Sequence, residues 1–173
     1  QREFGGGKGA NQAIAAGRLA ADTTFISKVG TDGNAQFIIE DFAKAQINTN
    51  YILISEDEET GQAFITVNEE GQNTILVYGG ANMTLSATDV DKNKEAFSDA
   101  DYVVAQLEIP IEAIEQAFKI AREHKVTTVL NPAPAVELPK SLLSLTDIII
   151  PNETEAELLS GVSKHSEKKM NKT

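Results

Sequence analysis

The sequence predicts an α/β fold that is built on a mainly parallel sheet and carries a small additional β-sheet. In the second half of the chain, apolar strand-like runs alternate with amphipathic helical segments, a pattern typical of a parallel sheet covered by helices on both faces. Two further observations are a glycine-rich segment before a small-residue helix and polar residues directly after the apolar runs. They indicate a ligand site beyond the carboxyl ends of the strands, where open α/β sheets bind ligands.

The glycine-rich segment 5–9 is the candidate ligand loop. Four of its five residues are glycines, so the backbone can turn with positive φ and its N–H groups can approach a ligand closely. Lys8 and Asn11 lie at the start of the helix predicted at 10–20, whose first N–H groups have no partners within the helix. We expect this cation and this amide to bind oxygen atoms, as in a sugar-binding loop.

Three other interpretations compete with this one. A phosphate-binding P-loop needs a hydroxyl residue after its lysine, and Gly9 follows Lys8, so that motif is excluded. The glycine spacing, with Asp32 about twenty residues later, satisfies the relaxed fingerprint of a dinucleotide-binding site. The segment Gln1–Phe4 is too polar for the buried strand that such a site requires, which favours the sugar-binding loop. A glycine turn that binds no ligand is the third interpretation.

Composition excludes several classes of function. The chain of 173 residues has a net charge of −11, which opposes binding to nucleic acid and to anionic membranes. It has no cysteine, and only His124 and His165 offer imidazole, so zinc sites and Cys or Ser–His nucleophiles lose support. No apolar run reaches about eighteen residues and no apolar leader opens the chain, so we expect a cytoplasmic protein. The chain begins at Gln1 within a strand-like run, and we expect a piece of a longer protein.

The first elements after the glycine loop form a predicted βα unit. Residues 23–30 are β-branched and mostly apolar, which predicts a strand. Apolar residues at helical spacing in 34–46 predict an amphipathic helix, and residues 51–54 predict a short strand. The four acidic residues 56–59 indicate a solvated turn.

A β-hairpin is predicted next. The strand-like runs 62–68 and 73–78 are joined by a loop that contains glycine, which is the hairpin pattern. Because an isolated hairpin is marginally stable in water, we expect it to pack on other strands, among them one that ends at residues 1–4. There it would form a flap over the glycine loop.

After the hairpin, helices and strands alternate again. Residues 86–97 predict a helix with Ser86 and Asp89 as alternative N-caps. Pro110 opens a second, amphipathic helix. A third helix is expected to end near Gly161.

Polar residues follow each of three predicted strands in this half of the chain. The strands are expected at 102–107, 126–130 and 147–150, and the residues that follow them are Glu108, Asn131 and Asn152. Because carboxyl ends of parallel strands meet at one edge of a sheet, we expect the three side chains to line one ligand site. The alternative is helix capping with exposure to solvent, which the acidic first turn after Asn152 fits particularly well.

Four ordered motifs in the chain resemble those of the ribokinase-like (PfkB) carbohydrate kinases. They are Gly6–Ala13, Gln106–Glu108, Asn131–Ala135 and Pro151–Glu157, and the resemblance runs from Gln1 to about Val162. It implies a three-layer α/β/α, Rossmann-like core and a small β lid that mediates homodimerisation. It also implies transfer of the γ-phosphoryl group of ATP to the 5-hydroxyl of D-ribose, which gives ribose 5-phosphate.

The resemblance further implies roles for individual residues. The sugar hydroxyls are expected at Gly7, Lys8, Gly9, Ala10, Asn11 and Glu108. Asn152 and Glu155 are expected near the ATP phosphates, with Glu155 contacting Mg²⁺ directly or through water. A monovalent cation, K⁺, is an implied cofactor whose site lies outside this chain. The implied partners are the sugar, ATP and a second copy of the protein, with no nucleic acid and no membrane.

The resemblance divides the chain into a core of residues 5–60 and 83–162, a lid of residues 61–82 that residues 1–4 join, and a polar tail or truncation at 163–173. The family's later Gly-Ala-Gly-Asp type motif, which carries the catalytic aspartate, is absent here, and so is most of the ATP site. We therefore expect no catalytic base in this chain and no activity from the chain alone.

Four alternatives to this interpretation stay open. The protein could act on another sugar or on a nucleoside within the same family. It could be a dinucleotide-dependent oxidoreductase, because of the glycine spacing and Asp32, or a sugar-binding module without catalysis. If a base does lie within this chain, the candidates are Asp32 and Asp101.

Overall fold

The computed structural model describes residues 4–68 and 70–162, and within them it confirms the α/β fold class. The strands are β1 Ser27–Val29, β2 Ile52–Ile54, β3 Gln62–Val67, β4 Asn73–Tyr78, β5 Tyr102–Gln106, β6 Thr127–Asn131 and β7 Ile148–Ile149. The α-helices are α1 Lys8–Arg18, α2 Gly33–Lys44, α3 Ala87–Lys92, α4 Ile111–Glu123, α5 Lys140–Ser144 and α6 Glu153–Ser160. Short 3-10 helices lie at Gly80–Thr84 and Lys94–Phe97.

The parallel pair β1–β2 lies between two layers of helices. On one side, Ile52 packs against a buried cluster from α1 and α2 that includes Phe42. On the other side, Leu53 packs against a cluster built mainly from α3 and α4, which includes Val90 and Ile120. Because successive side chains of a strand point to opposite faces of the sheet, these contacts produce three α/β/α layers.

Helix α4 packs on the second parallel sheet, in which the strand order is β5–β6–β7. Ala105 lies opposite Leu130 in the register of β5 and β6. Both residues share a buried cluster with Ile114 and Phe118 of α4, which are fully buried. Pro110 is the N-cap residue of α4, as the sequence predicts, and the apolar stripe of the helix faces the sheet.

The hairpin β3–β4 forms a separate antiparallel sheet, which confirms the predicted hairpin. Phe64 lies opposite Leu76, and Ile65 lies opposite Ile75 on the other face. Apolar side chains on both faces are exposed: Phe64 49%, Ile65 62%, Val67 64%, Ile75 52%, Leu76 68% and Val77 63%. The partner strand expected at residues 1–4 lies almost entirely outside the described residues, which begin at Phe4.

The single helix expected at 86–97 is wrong in its length. Helix α3 ends at Lys92, and the 3-10 helix Lys94–Phe97 follows. At the break, Asn93 donates from its side-chain amide to the carbonyl oxygen of Asp89 at 3.1 Å, and asparagine competes in this way with helical hydrogen bonds. Of the two proposed caps, Ser86 is the N-cap residue and Asp89 completes its capping box.

The expectation of one sheet covered on both faces is only partly correct. Within residues 4–68 and 70–162, the parallel strands form two groups, β1–β2 and β5–β6–β7. Tyr102 and Val104 lie on the face of β5 opposite Ala105, and they are 63% and 51% exposed. Ile148 and Ile149 of β7 and Ile150, which follows them, are exposed as well. Strand patterns record apolar side chains but not whether a helix covers them.

Two sets of expectations concern segments at the ends of the chain. The lid strand at residues 1–3 and the tail at 163–173 lie outside the described residues. Across the described ranges, none of the helices is long and apolar enough to cross a membrane.

Candidate functional site

The glycine loop leads directly into α1, with a backbone conformation that requires glycine. Gly7 is the N-cap residue of α1 and has a φ of 90°, a left-handed value that side chains disfavour. Because Gly7 has no side chain, it cannot cap the first N–H groups of the helix. These groups and the partial positive charge of the helix N-terminus make an anchoring point for oxygen atoms.

Glu108 lies directly against this loop. Its Oε2 atom accepts a hydrogen bond from the backbone N–H of Lys8 at 2.7 Å, although the two residues are 100 positions apart in the sequence. A Cβ atom on Gly7 would lie 3.7 Å from the same oxygen. A carboxylate is favoured at a helix N-terminus, and its remaining lone pairs can accept hydrogen bonds from ligand hydroxyls. The tertiary fold thus joins two of the four sequence motifs.

A chain of side-chain amides connects α1 to the ends of three strands. Gln106 donates to Gln12 Oε1, and Gln12 Nε2 lies 3.4 Å from Asn131 Oδ1. Asn131 in turn donates from Nδ2 to the carbonyl oxygen of Ile150 at 2.9 Å. A Cβ atom on Gly9 would lie 2.8 Å from Gln106 Oε1, so glycine allows this amide to approach the helix. The amide chain sets the position of α1 over the sheet edge.

Gln12 is a residue of the site that sequence reasoning missed. It lies one helical turn after Lys8, so the two side chains share a face of α1. It belongs to the motif Gly6–Ala13, but no role was inferred for it from the resemblance. A polar residue on a helix is most often exposed to solvent, and only the fold shows that Gln12 contacts the strand ends.

Asn152 and Glu155 form a capping box at the start of α6. Asn152 Oδ1 accepts from the backbone N–H of Glu155 at 2.9 Å, and Glu155 Oε2 accepts from the backbone N–H of Asn152 at 2.8 Å. Glu155 is 4% exposed, and its Oε1 accepts from the Asn152 amide at 2.9 Å. The two residues lie after β7, two strand spacings of about 5 Å from β5. The capping interpretation is confirmed, and it does not exclude a ligand beyond the cap.

This pair fits an indirect contact with Mg²⁺. Each oxygen of Glu155 accepts one hydrogen bond and keeps a lone pair, although the side chain is buried. Mg²⁺ retains several waters and often needs only one or two carboxylates together with substrate phosphates. Among the described residues no group of three His, Cys, Asp or Glu side chains could hold a metal ion. Glu155 therefore suits a water-mediated contact and not an all-protein metal cage.

Neither of the two acids named as alternative bases is placed to act at the glycine loop. Asp101 lies at the opposite end of β5, and both oxygens of Asp32 already accept hydrogen bonds. Asp101 precedes β5, at the amino end of the strand that carries Glu108 beyond its carboxyl end. Asp32 caps α2, and it also accepts from the backbone N–H of Thr60 at 2.6 Å. Burial raises the pKa of Asp32, but its hydrogen bonds from Thr60 and from the first turn of α2 outweigh burial and lower the pKa.

Comparison with known proteins identifies the family to which the chain belongs. The family model described as "pfkB family carbohydrate kinase" matches residues 1–173. A ribokinase of Staphylococcus aureus (strain COL) is 66% identical over 170 residues, which are 98% of this chain and 56% of that protein. A ribokinase of Haemophilus influenzae is 46% identical over 157 residues, which are 91% of this chain and 51% of that protein.

A solved structure shows the same fold. The Arabidopsis thaliana ribokinase complexed with ribose and ATP superposes with a TM-score of 0.86 at 33% identity, over 90% of this chain and 51% of that one. The chain belongs to the pfkB family of carbohydrate kinases, which confirms the resemblance drawn from the four motifs. It spans about half the length of the curated relatives it matches. The family does not support the dinucleotide-dependent oxidoreductase interpretation.

Proposed function

We propose that this chain is the sugar-binding part of a ribokinase, which transfers the γ-phosphoryl group of ATP to the 5-hydroxyl of D-ribose. The observation that carries the proposal is the 2.7 Å hydrogen bond between Lys8 N–H and Glu108 Oε2. It brings the glycine motif and the strand-end motif of a carbohydrate kinase into one site. The ribokinases among the relatives support ribose over another sugar or a nucleoside.

The sugar is bound between the N-terminus of α1 and the carboxyl end of β5. Glu108 orients a hydroxyl by accepting a charge-assisted hydrogen bond from it. The side chains of Lys8 and Asn11 supply donors, and Asn11 can also accept. Gly7, Gly9 and Ala10 contribute backbone and close approach, because larger side chains would occupy the space that a ligand needs. These residues orient the sugar and exclude water from it.

ATP and Mg²⁺ belong on the side of the sheet edge where α6 begins. Asn152 and Glu155 hold the first turn of α6 in place, and with ATP and Mg²⁺ bound the N-terminus of α6 would face the phosphates and Glu155 would contact the metal through water. Mg²⁺, when bound, neutralises the charge that develops during phosphoryl transfer. We assign no catalytic base to this chain. The K⁺ site, the cytoplasmic location and the inactivity of the chain alone stay predictions of the sequence.

Replacement of Glu108 by Gln tests the sugar site. In the complete kinase the variant loses a charge-assisted hydrogen bond of about 1.5–3 kcal/mol, so the KM for ribose rises about ten- to a hundredfold. The KM for ATP stays nearly constant, because the lost contact is with the sugar. Glu123→Gln, on the exposed end of α4, is the matched control. An unchanged KM for ribose in Glu108→Gln would leave helix capping as the role of Glu108.

Replacement of Glu155 by Gln tests the phosphate side separately. Gln also forms capping boxes, so it can keep the bond from the backbone N–H of Asn152, while the charge and the bond from the Asn152 side-chain amide are lost. We expect the Mg²⁺ concentration that gives half-maximal kcat to increase, with ribose affinity by calorimetry unchanged. Equal losses in ribose affinity and Mg²⁺ response would show that Glu155 is structural only.

We also propose that the kinase is a homodimer through the hairpin. The support is the exposure of apolar side chains on both of its faces, which is unusual for a surface without a partner. Lysine at Ile65 should prevent dimerisation, as measured by sedimentation velocity. Leu19→Lys, at an exposed residue after α1, is the control that should leave the dimer intact. A monomeric wild-type kinase would contradict the proposal.

A further inference from the structure

Residues 58–61, which enter the hairpin and form one side of its base, are hydrogen-bonded to the residues that follow β1. Thr60 is only 5% exposed, and its backbone N–H donates to Asp32 Oδ2 at 2.6 Å. Its hydroxyl oxygen accepts from the backbone N–H of Gly30 at 3.0 Å. Thr60 is therefore bound on two sides by residues that directly follow β1.

The packing at this point leaves no space for a side chain on Gly30. A Cβ atom there would lie 2.6 Å from Asp32 Oδ2 and 2.7 Å from both the carbonyl oxygen of Glu58 and the backbone nitrogen of Thr60. The backbone before the hairpin thus rests directly on the backbone after β1. Such close packing transmits the position of the core to the base of the hairpin.

The segment that leaves the hairpin is fastened to the segment that enters it. Ala81 N–H donates to the carbonyl oxygen of Glu59 at 2.8 Å. A Cβ atom on Gly61 would lie 2.5 Å from the side-chain nitrogen of Asn82 and 2.7 Å from the carbonyl oxygen of Gly79. Both ends of the hairpin are therefore joined to each other, and Thr60 connects them to Asp32.

The rest of the hairpin has little contact with the core. Its apolar side chains are about half to two thirds exposed, and Tyr78 donates its hydroxyl to Glu58, which belongs to the same basal segment. The orientation of the hairpin is consequently determined at its base.

We infer that Asp32 is a positioning residue: through Oδ2 it anchors the base of hairpin 62–78 and so sets the orientation of the hairpin, which the sequence predicts to be a flap over the glycine loop. The link to the sugar site rests on the proposed function. Oδ1 of the same carboxylate caps α2 by accepting from Asn34 at 2.9 Å, so one side chain couples the helix to the hairpin. The low pKa of Asp32 agrees with a carboxylate that stays ionised while it accepts these bonds.

The test separates the two oxygens of Asp32. Serine is a good N-cap residue but has one oxygen, so Asp32→Ser keeps the cap of α2 and loses the bond to Thr60. Asp32→Asn is a second variant, because its amide group must oppose an N–H donor either at Thr60 or at the helix cap. Asp147→Ser is the matched control, since Asp147 holds Thr128 in the other sheet through a bond of the same type, 2.9 Å long.

Both readouts are made on the complete kinase. In Asp32→Ser, hydrogen exchange of the amides of β3 and β4 should become about tenfold faster, while exchange in β5 and β6 is unchanged. The KM for ribose should rise about tenfold, with the KM for ATP and the far-UV circular dichroism unchanged. Asp147→Ser should have the reverse exchange pattern and leave the KM for ribose unchanged.

Two results would overturn the inference. Hairpin exchange as slow in both Asp32 variants as in the wild type would show that Asp32 does not anchor the hairpin. Faster exchange with an unchanged KM for ribose, in a kinase where Glu108→Gln does raise that KM, would show that the anchor has no effect on the sugar site. If Glu108→Gln is also without effect, the proposed function fails, and hydrogen exchange still decides the anchoring by itself.

Discussion

Helix α4 and the hairpin β3–β4 contain similar apolar residues, but most of those of α4 are buried and those of the hairpin are exposed. In α4, Ala113, Ile114 and Phe118 are fully buried. In the hairpin, Phe64 and Leu76 form a cross-strand pair, yet they are 49% and 68% exposed. The difference arises because α4 has one apolar stripe that faces a sheet, whereas the hairpin is apolar on both faces and rests on its base.

This contrast separates a region that stabilises the fold, α4, from a region whose apolar side chains are exposed, the hairpin. Burial of apolar area stabilises the fold at about 25 cal/mol per Å², so α4 contributes strongly within the single chain. An exposed apolar side chain contributes little until a partner covers it. Substitutions in β3 and β4 should therefore change the free energy of unfolding of a single chain only slightly. Substitutions at the base of the hairpin, such as at Gly80, should lower it more.

The largest expected effect compares two phenylalanines. Phe118→Ala should lower the free energy of unfolding by about 3–5 kcal/mol, because it leaves a cavity in the cluster between α4 and the sheet. Phe64→Ala in the hairpin should lower it by about 1 kcal/mol or less in the monomer. Urea unfolding at low protein concentration measures both. Equal losses would mean that the hairpin is packed as tightly as α4.

The next effect locates the sensitive part of the hairpin region. Gly80 has a φ of 50°, and a Cβ atom there would lie 2.9 Å from the ring of Tyr78. Gly80→Ala should lower the free energy of unfolding by roughly 1–3 kcal/mol because of backbone strain and crowding. Gly33→Ala is the control, because nothing lies within 4 Å of a Cβ atom at that residue of α2. The free energy of unfolding of this variant should be unchanged or should rise by up to about 1 kcal/mol. If Gly80→Ala left the free energy of unfolding unchanged, the base of the hairpin would not be closely packed.

A smaller effect concerns the helix that packs beside α4. Ser86 caps α3 in a reciprocal capping box with Asp89, so Ser86→Ala should reduce the free energy of unfolding by about 1 kcal/mol. Ser98 donates only to the carbonyl oxygen of Glu95 on an exposed surface, and Ser98→Ala should change stability by less than about 0.5 kcal/mol. Thermal unfolding of the two variants makes the comparison. A neutral Ser86→Ala would show that packing on α4, and not the cap, maintains α3.

The smallest expected effect depends on pH. Hydrogen bonds from the backbone and hydroxyl of Thr128, with a contribution from Arg122, hold the pKa of Asp147 below its usual 3.8. A carboxyl whose pKa is lower in the folded state stabilises the fold above its unfolded pKa, and this contribution disappears as pH falls through the folded pKa. The stability difference between wild type and Asp147→Asn, measured by urea unfolding, should therefore shrink below about pH 4. A constant difference down to pH 2 would contradict the assignment.

Much of the local structure followed from residue patterns. The hairpin at 62–78, the proline-opened helix α4 and the left-handed Gly161 that ends α6 all agree with the prediction. Each depends on interactions within a few residues, such as turn glycines, helix periodicity and caps. The motifs also identified the family, because four spaced patterns are specific when they occur in order.

Other features could not be obtained from local patterns. Nothing near Gln12 in the sequence indicates that it meets Gln106 and Asn131, and nothing near Asp32 indicates that it binds Thr60. These contacts join residues that are tens of positions apart, so they depend on how the layers are packed. The break of the helix at Asn93 was missed for a different reason, because a side-chain hydrogen bond to Asp89 competes with the helix there.

The sequence by itself therefore determined the fold class, the order of the strands and of every α-helix except α5, the family, and the glycine and strand-end motifs of the candidate site. Only the tertiary structure decided that Glu108 meets the N-terminus of α1, that Asp32 binds Thr60, and that the apolar hairpin is exposed while the apolar stripe of α4 is buried. The physical reason is the range of the forces involved. Periodicity and capping act within one or two helical turns, whereas burial and hydrogen bonds between motifs depend on which surfaces the whole chain brings together.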